Sequence, residues 1–194
     1  MAFNAYLVFH DESGIKGEST SEVARDKNAI EVTDYGFGVS MPVTTSRSDG
    51  GGATVGRANF DVFTASKGID IATCDLVKYC CLGKNIKKIV LHLFRQGEGV
   101  TTGVVKYAMV VFQHCVITKV GITGGGEELP KESLEFNYGV CEYLYQPTNH
   151  ETGEKKGQPK RAGWSTVTNR FLATNQDASF NPTVDAASTP DADA

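Results

Sequence analysis

The chain has 194 residues, 40% hydrophobic and 22% charged, with a formal net charge of -4. That size suits one domain with its own core, burying about 70% of its unfolded surface without help from a metal or disulfide. The acidic balance, with no run of Lys and Arg interleaved with aromatics, excludes a nucleic-acid surface. The longest apolar stretches are too short and too charged for membrane insertion.

In chain order, "MAFNAYLVFHDESG" has neither a basic start nor a small-residue cleavage site, so no signal peptide is expected and folding is expected in the cytoplasm. Phe3, Ala5, Leu7 and Phe9 alternate with the period of a strand that buries one face. The stretch "GIKGEST" follows: Gly14 and Gly17 permit a turn, and Glu18, Ser19 and Thr20 supply polar contacts. Strands are expected at 29–39 and 57–66. The connection between them, Gly38 to Gly56, is longer than an ordinary hairpin loop and rich in glycine. Gly51 and Gly56 have phosphate-loop spacing, but Arg57 and Ala58 stand where Lys and Ser or Thr are needed, and a strand follows instead of a helix.

The segment "IDIATCDLVKYCCLGKN" breaks the alternation. It offers Asp70 or Thr73 as an N-cap, Leu76, Val77, Cys80 and Cys81 as a packing face, and Gly83 as a stop. This predicts one short helix docked by those four side chains. Alternation returns at Lys87–Phe94, over 104–119, and from Leu134 to Val140, with turns at "RQGEGVTTG" and "GITGGGEELP". The expected fold is mainly β with one helix, a small closed or nearly closed barrel over residues 1–170. After Arg170 the chain has several Asp and no Lys or Arg, so residues 171–194 are expected to form a disordered acidic tail.

No catalytic constellation emerges. His114 and Cys115 are adjacent, so on a strand they point to opposite faces and cannot form a nucleophile–base pair. His10 and His92 fall in strands, and Asp11–Glu12 and Glu127–Glu128 sit beside turns, where solvated charge is the ordinary state. The five cysteines, Cys74, Cys80, Cys81, Cys115 and Cys141, form no C-x-x-C pair and are expected as small buried free thiols. Neither a metal nor a cofactor is expected.

Several segments occur in an order that resembles one family. They are "GIKGES", "AIEVTDYGFGVS" before a Gly-rich loop, "FTASKGIDIATCDLVKYCCLGKNI", "LPKESLEFNYGVCEYLYQP" and "GWSTVTNR". Together they are similar to the haemolysin-coregulated protein (Hcp) family, tube subunits of bacterial type VI secretion systems, over residues 1 to about 170. The resemblance implies a β-barrel of two sheets with one helix, and homohexameric rings stacked into a hollow tube. It implies sheath and spike proteins as partners, small effectors in the lumen, and export by that pathway. It also implies that the long loop reaches the next ring, with Arg47, Ser48, Asp49, Gly50, Gly51 and Gly52 at its tip, and makes Gly17, Glu18 and Ser19 candidates for a subunit-contact turn. Some relatives carry a C-terminal toxin domain, for which the 24 residues after Arg170 are too few. The rival readings are a ligand-binding barrel that carries a small molecule and a cysteine-dependent hydrolase.

Overall fold

The computed structural model describes residues 3–10, 14–24, 28–43, 56–96, 104–126, 128–149 and 155–172. In chain order these form β1 (Phe3–Phe9), β2 (Ile30–Val32), β3 (Asp34–Gly36), β4 (Val39–Ser40), β5 (Asn59–Phe60), β6 (Phe63–Gly68), α1 (Thr73–Leu82), β7 (Asn85–Gln96), β8 (Val104–Gly125), β9 (Glu128–Asn137), β10 (Val140–Tyr145), β11 (Lys160–Ser165) and β12 (Arg170–Phe171). The mainly-β reading with one helix is correct. The expected strand at 29–39 is divided among β2, β3 and β4, and the strands β11 and β12 were not anticipated.

The main sheet has strand order β12-β11-β10-β8-β7-β1-β2, and β9, β6 and β3 extend it from β8. All of its ladders are antiparallel. The 22-residue β8 dominates the design. Its first half pairs with β7 and β10, and its second half pairs with β9. Where the sequence signalled a turn at "GITGGGEELP", the strands run on to Gly125 and from Glu128, and among the described residues the turn is at Gly126 (φ +71°). The barrel is open in its hydrogen bonding: β2 pairs with β1 and β3 with β6. Between them Thr33 donates its backbone N–H and its hydroxyl to Ser66 O, at 2.9 and 3.0 Å.

Period-two alternation places Ala5, Leu7, Leu91, Leu93, Val110, Phe112, Leu134 and Phe136 on the inward face, where they form one buried cluster. Phe63 stacks on Phe136 at 4.5 Å, and Phe112 meets both rings edge-on at 5.1 and 5.3 Å. The interior is therefore filled by its own side chains, as small barrels usually are. On the outward face Tyr6, Val8 and Phe94 pack against Ala24 and Ala29, so the chain before β2 covers that side of β1 and β7.

Helix α1 ends as its sequence dictates. Gly83 takes the left-handed conformation (φ 58°) and donates its N–H to Cys80 O. At the other end neither Asp70 nor Thr73 is the N-cap: Ala72 holds that position with no side-chain cap hydrogen bond, and Asp70 Oδ1 accepts the Ala72 N–H at 3.0 Å, one residue before the helix begins.

Candidate functional site

Three regions carry the sequence candidates: the 14–20 stretch, α1 and the long loop. Ile15 and Gly17 are buried and Glu18 is exposed, so the 14–20 stretch lies along the start of β2 with its polar side chains outward. Gly17 donates its N–H to Asn28 O (2.7 Å) and Ser19 to Ala29 O (3.3 Å). A Cβ on Gly17 would lie 2.2 Å from Ala29 O. The glycine is thus required by close backbone approach; the left-handed turn belongs to Gly14 (φ +74°).

On α1 the phase differs from expectation. Leu76 is fully buried, and Tyr79 and Cys80 pack on the core. Val77 and Cys81 face solvent and do not dock the helix. Each lies one residue, about 100° of helix, beyond the docked stripe of Thr73, Leu76 and Cys80. Cys74 is also exposed, so the thiols are free but not uniformly buried.

The strongest electrostatic feature was missed by the sequence reading. Lys67 on β6 and Glu132 on β9 are direct partners in register, and both are buried. Lys67 Nζ donates to Glu132 Oε2 (3.0 Å) and Gly68 O (2.8 Å), and lies 2.8 Å from Asp70 Oδ1. Thr73 Oγ1 donates to the same Glu132 oxygen at 2.5 Å, which ties the first residue of α1 to the sheet. Glu132 Oε1 has no partner among the described residues. The signal was available. Lys67 has the same parity as Phe63 and Ala65, and Glu132 the same as Leu134 and Phe136, so opposite charges fall on the buried faces of adjacent strands.

The remaining titratable groups do not form a reactive centre. His114 is exposed while Cys115 is buried, in accord with opposite strand faces. Burial, with Glu142 adding to it, pushes the Cys141 thiol up to about 12, away from the thiolate form that nucleophilic chemistry needs. Burial first, then Lys106, His10 and Lys88, holds His92 well below its usual value, so it is neutral. Neither of its ring nitrogens has a partner among the described residues. No group of His, Cys, Asp and Glu able to hold a metal occurs among the described residues. No helix among them is long and apolar enough to cross a membrane.

The tip of the long loop, Arg47, Ser48, Asp49, Gly50, Gly51 and Gly52, lies outside the described residues, as does the chain from 173 to 194. The loop's two stems are described and held firmly. Gly56 N–H donates to Pro42 O and Asp61 N–H to Gly38 O, both at 2.9 Å. Tyr138 Oη donates to Asp61 O at 2.9 Å. Arg57 reaches the β11–β12 turn, donating to Thr166 O (2.6 Å) and Asn169 Oδ1 (3.2 Å). Along one stem Val39, Met41 and Val43 remain about half exposed or more.

Residues 6–145 match the family described as "Type VI secretion system effector, Hcp". The chain belongs to the Hcp family. No curated protein matches it. Among solved structures, one described as a type six secretion system protein is 26% identical, with 88% of this chain aligned to 100% of that one at a TM-score of 0.77. Hcp1 from Salmonella typhimurium is similar at 23% identity, with 89% and 100% of the chains covered and a TM-score of 0.67. A type VI secretion system effector from Yersinia pestis is 24% identical, covering 83% and 98% at a TM-score of 0.60. The Hcp match begins in β1 and ends at the last residue of β10, so it spans the barrel, the buried Lys67–Glu132 pair and α1, whereas β11 and β12 lie beyond it.

Proposed function

We propose that this chain is a tube subunit of a type VI secretion system, which forms homohexameric rings that stack into a hollow tube. Sheath contraction drives the tube, with its spike, out of the cell, and small effector proteins travel in the lumen. The observation that carries this reading is the Hcp match across residues 6–145 on a barrel with one docked helix. The role assigned is structural and without catalysis. Burial of Cys115 and the raised Cys141 thiol weigh against the cysteine hydrolase, and the Phe63–Phe112–Phe136 packing weighs against an interior ligand site.

In this reading the 38–56 loop makes the contact between rings, with Arg47 to Gly52 at its tip. Its clamped stems and exposed Val39, Met41 and Val43 suit a projecting arm with apolar surface to cover. Deleting Ser48 to Gly51, or changing Arg47→Glu, tests it. Negative-stain images should show rings of the parent shape that no longer stack, and secretion from a type VI-active cell should stop. Variants that stack and secrete like the parent would place the axial contact elsewhere.

A further inference from the structure

The two ends of the main sheet carry opposite charge. From Lys155 to Leu172 the chain has five Lys or Arg and no Asp or Glu. Lys155, Lys156, Lys160 and Arg170 are exposed, while Arg161 is ion-paired with Glu142. This segment forms β11 and β12, and β12 is the end strand of the sheet. At the other end of the strand order is β2, bordered by the 14–24 segment. Among the described residues there, Glu18, Glu22, Glu31 and Asp34 are all exposed and Lys16 is the one cation, while Arg25, Asp26 and Lys27 between them lie outside the described residues.

The basic end is also aromatic. Phe171 pairs with Trp164, and Trp164 with Cys141, so the three share one face of the sheet. Tyr143 and Tyr145 lie on that face two and four residues along β10 from Cys141. Phe171 is 57% exposed, Tyr145 41% and Tyr143 39%. Half-covered aromatic side chains are the composition of a contact surface, since Tyr, Trp and Phe are enriched there. Lys160, the partner of Tyr145, shares their face, and Arg170, the partner of Ser165, lies on the other face of the same end strand as Phe171.

We propose that the occupant of this surface is the acidic edge of a second copy: the β10–β12 flank of one subunit meets the Glu18–Glu22–Glu31 edge of the next. The assignment rests on the ring reading above and adds which edges close the ring. A two-fold dimer through either edge would set like charges against each other, whereas a head-to-tail contact pairs unlike patches and closes when its rotation closes.

Two paired reversals test it: Lys160→Glu with Arg170→Glu, and Glu18→Lys with Glu22→Lys. All four positions are exposed, and circular dichroism checks that the barrel persists. Each pair should convert rings to monomers at micromolar concentration, read by light scattering as a roughly sixfold loss of mass. Mixing the two reversed pairs in one chain should restore the ring. Independently of any variant, carbodiimide coupling of the parent should join Lys156 or Lys160 of one copy to Glu18, Glu22 or Glu31 of another, read from mixed isotope-labelled chains by mass spectrometry. Rings that persist in both reversed pairs, or cross-links that avoid these residues, overturn the edge assignment and leave the ring reading standing. A monomeric parent overturns both.

Discussion

In the barrel, Phe63, Phe112 and Phe136 contact one another at 4.5–5.3 Å and are fully buried, and Lys67 is enclosed by Glu132, Asp70 and Thr73. On the β10–β12 flank the same residue types stop short of enclosure. Tyr143, Tyr145 and Phe171 are more than a third exposed, and four of the five cations between 155 and 172 face solvent. The barrel completes itself within one chain, and in the proposed ring the flank is completed by another. Substitutions in the first should therefore act on folding, and substitutions in the second on assembly.

The largest effect is expected at Lys67. Lys67→Met removes the cation that contacts buried Glu132 and nearby Asp70, and breaking such a pair costs about 3–5 kcal/mol. Because Lys67 and Glu132 face each other in register, Lys67→Met with Glu132→Leu should recover most of that loss in urea unfolding, as apolar replacement of both partners often does. A double variant no better than the single one would show that the cluster holds α1 by more than charge balance.

Leu76→Ala should cost about 2–5 kcal/mol, since Leu76 is fully buried under the helix. Val77→Ala, one residue on, should stay within about 0.5 kcal/mol. Equal costs in denaturant titrations would mean that the docked stripe is misassigned.

A smaller effect is expected at His92. Its folded-state value lies well below 6.5, so below that pH the unfolded chain binds a proton that the folded chain does not. Stability should then fall as pH drops below 6.5, by up to about 1.4 kcal/mol per pH unit from this group. His92→Phe should flatten that part of the profile. An unchanged slope would assign the acid sensitivity to other groups.

The smallest effect on folding belongs to the flank. Phe171→Ala should leave monomer stability within about 0.5 kcal/mol, because more than half of the ring is already in water. The same change should weaken ring assembly on dilution. A large loss of stability would make β12 part of the barrel's own core and erase the contrast between the two regions.

Much of the barrel was legible because alternation is a direct consequence of strand geometry. Leu7, Leu91, Leu93, Leu134 and Phe136 announce their faces, and Gly83 announces the helix end. Val77 and Cys81 were misread because an apolar or thiol side chain at a neighbouring position looks the same whether it docks or not. Only the geometry around Leu76 separates them. Gly17 was legible only as a residue that permits a turn; that it must be glycine was not, since the approach of Ala29 O belongs to tertiary structure. The strands β11 and β12 escaped notice because "KRAGWS" and "RF" alternate weakly and are short. Lys67 and Glu132 were readable from parity, but only once the two strands were known to pair.

The central claim is that the chain is incomplete alone and closes into a six-membered ring. The mass of the purified parent in solution, measured by multi-angle light scattering at micromolar concentration, tests it most directly. A six-membered ring gives a species of about six times the chain mass of 20.9 kDa. A stable, well-folded monomer at that concentration would contradict it.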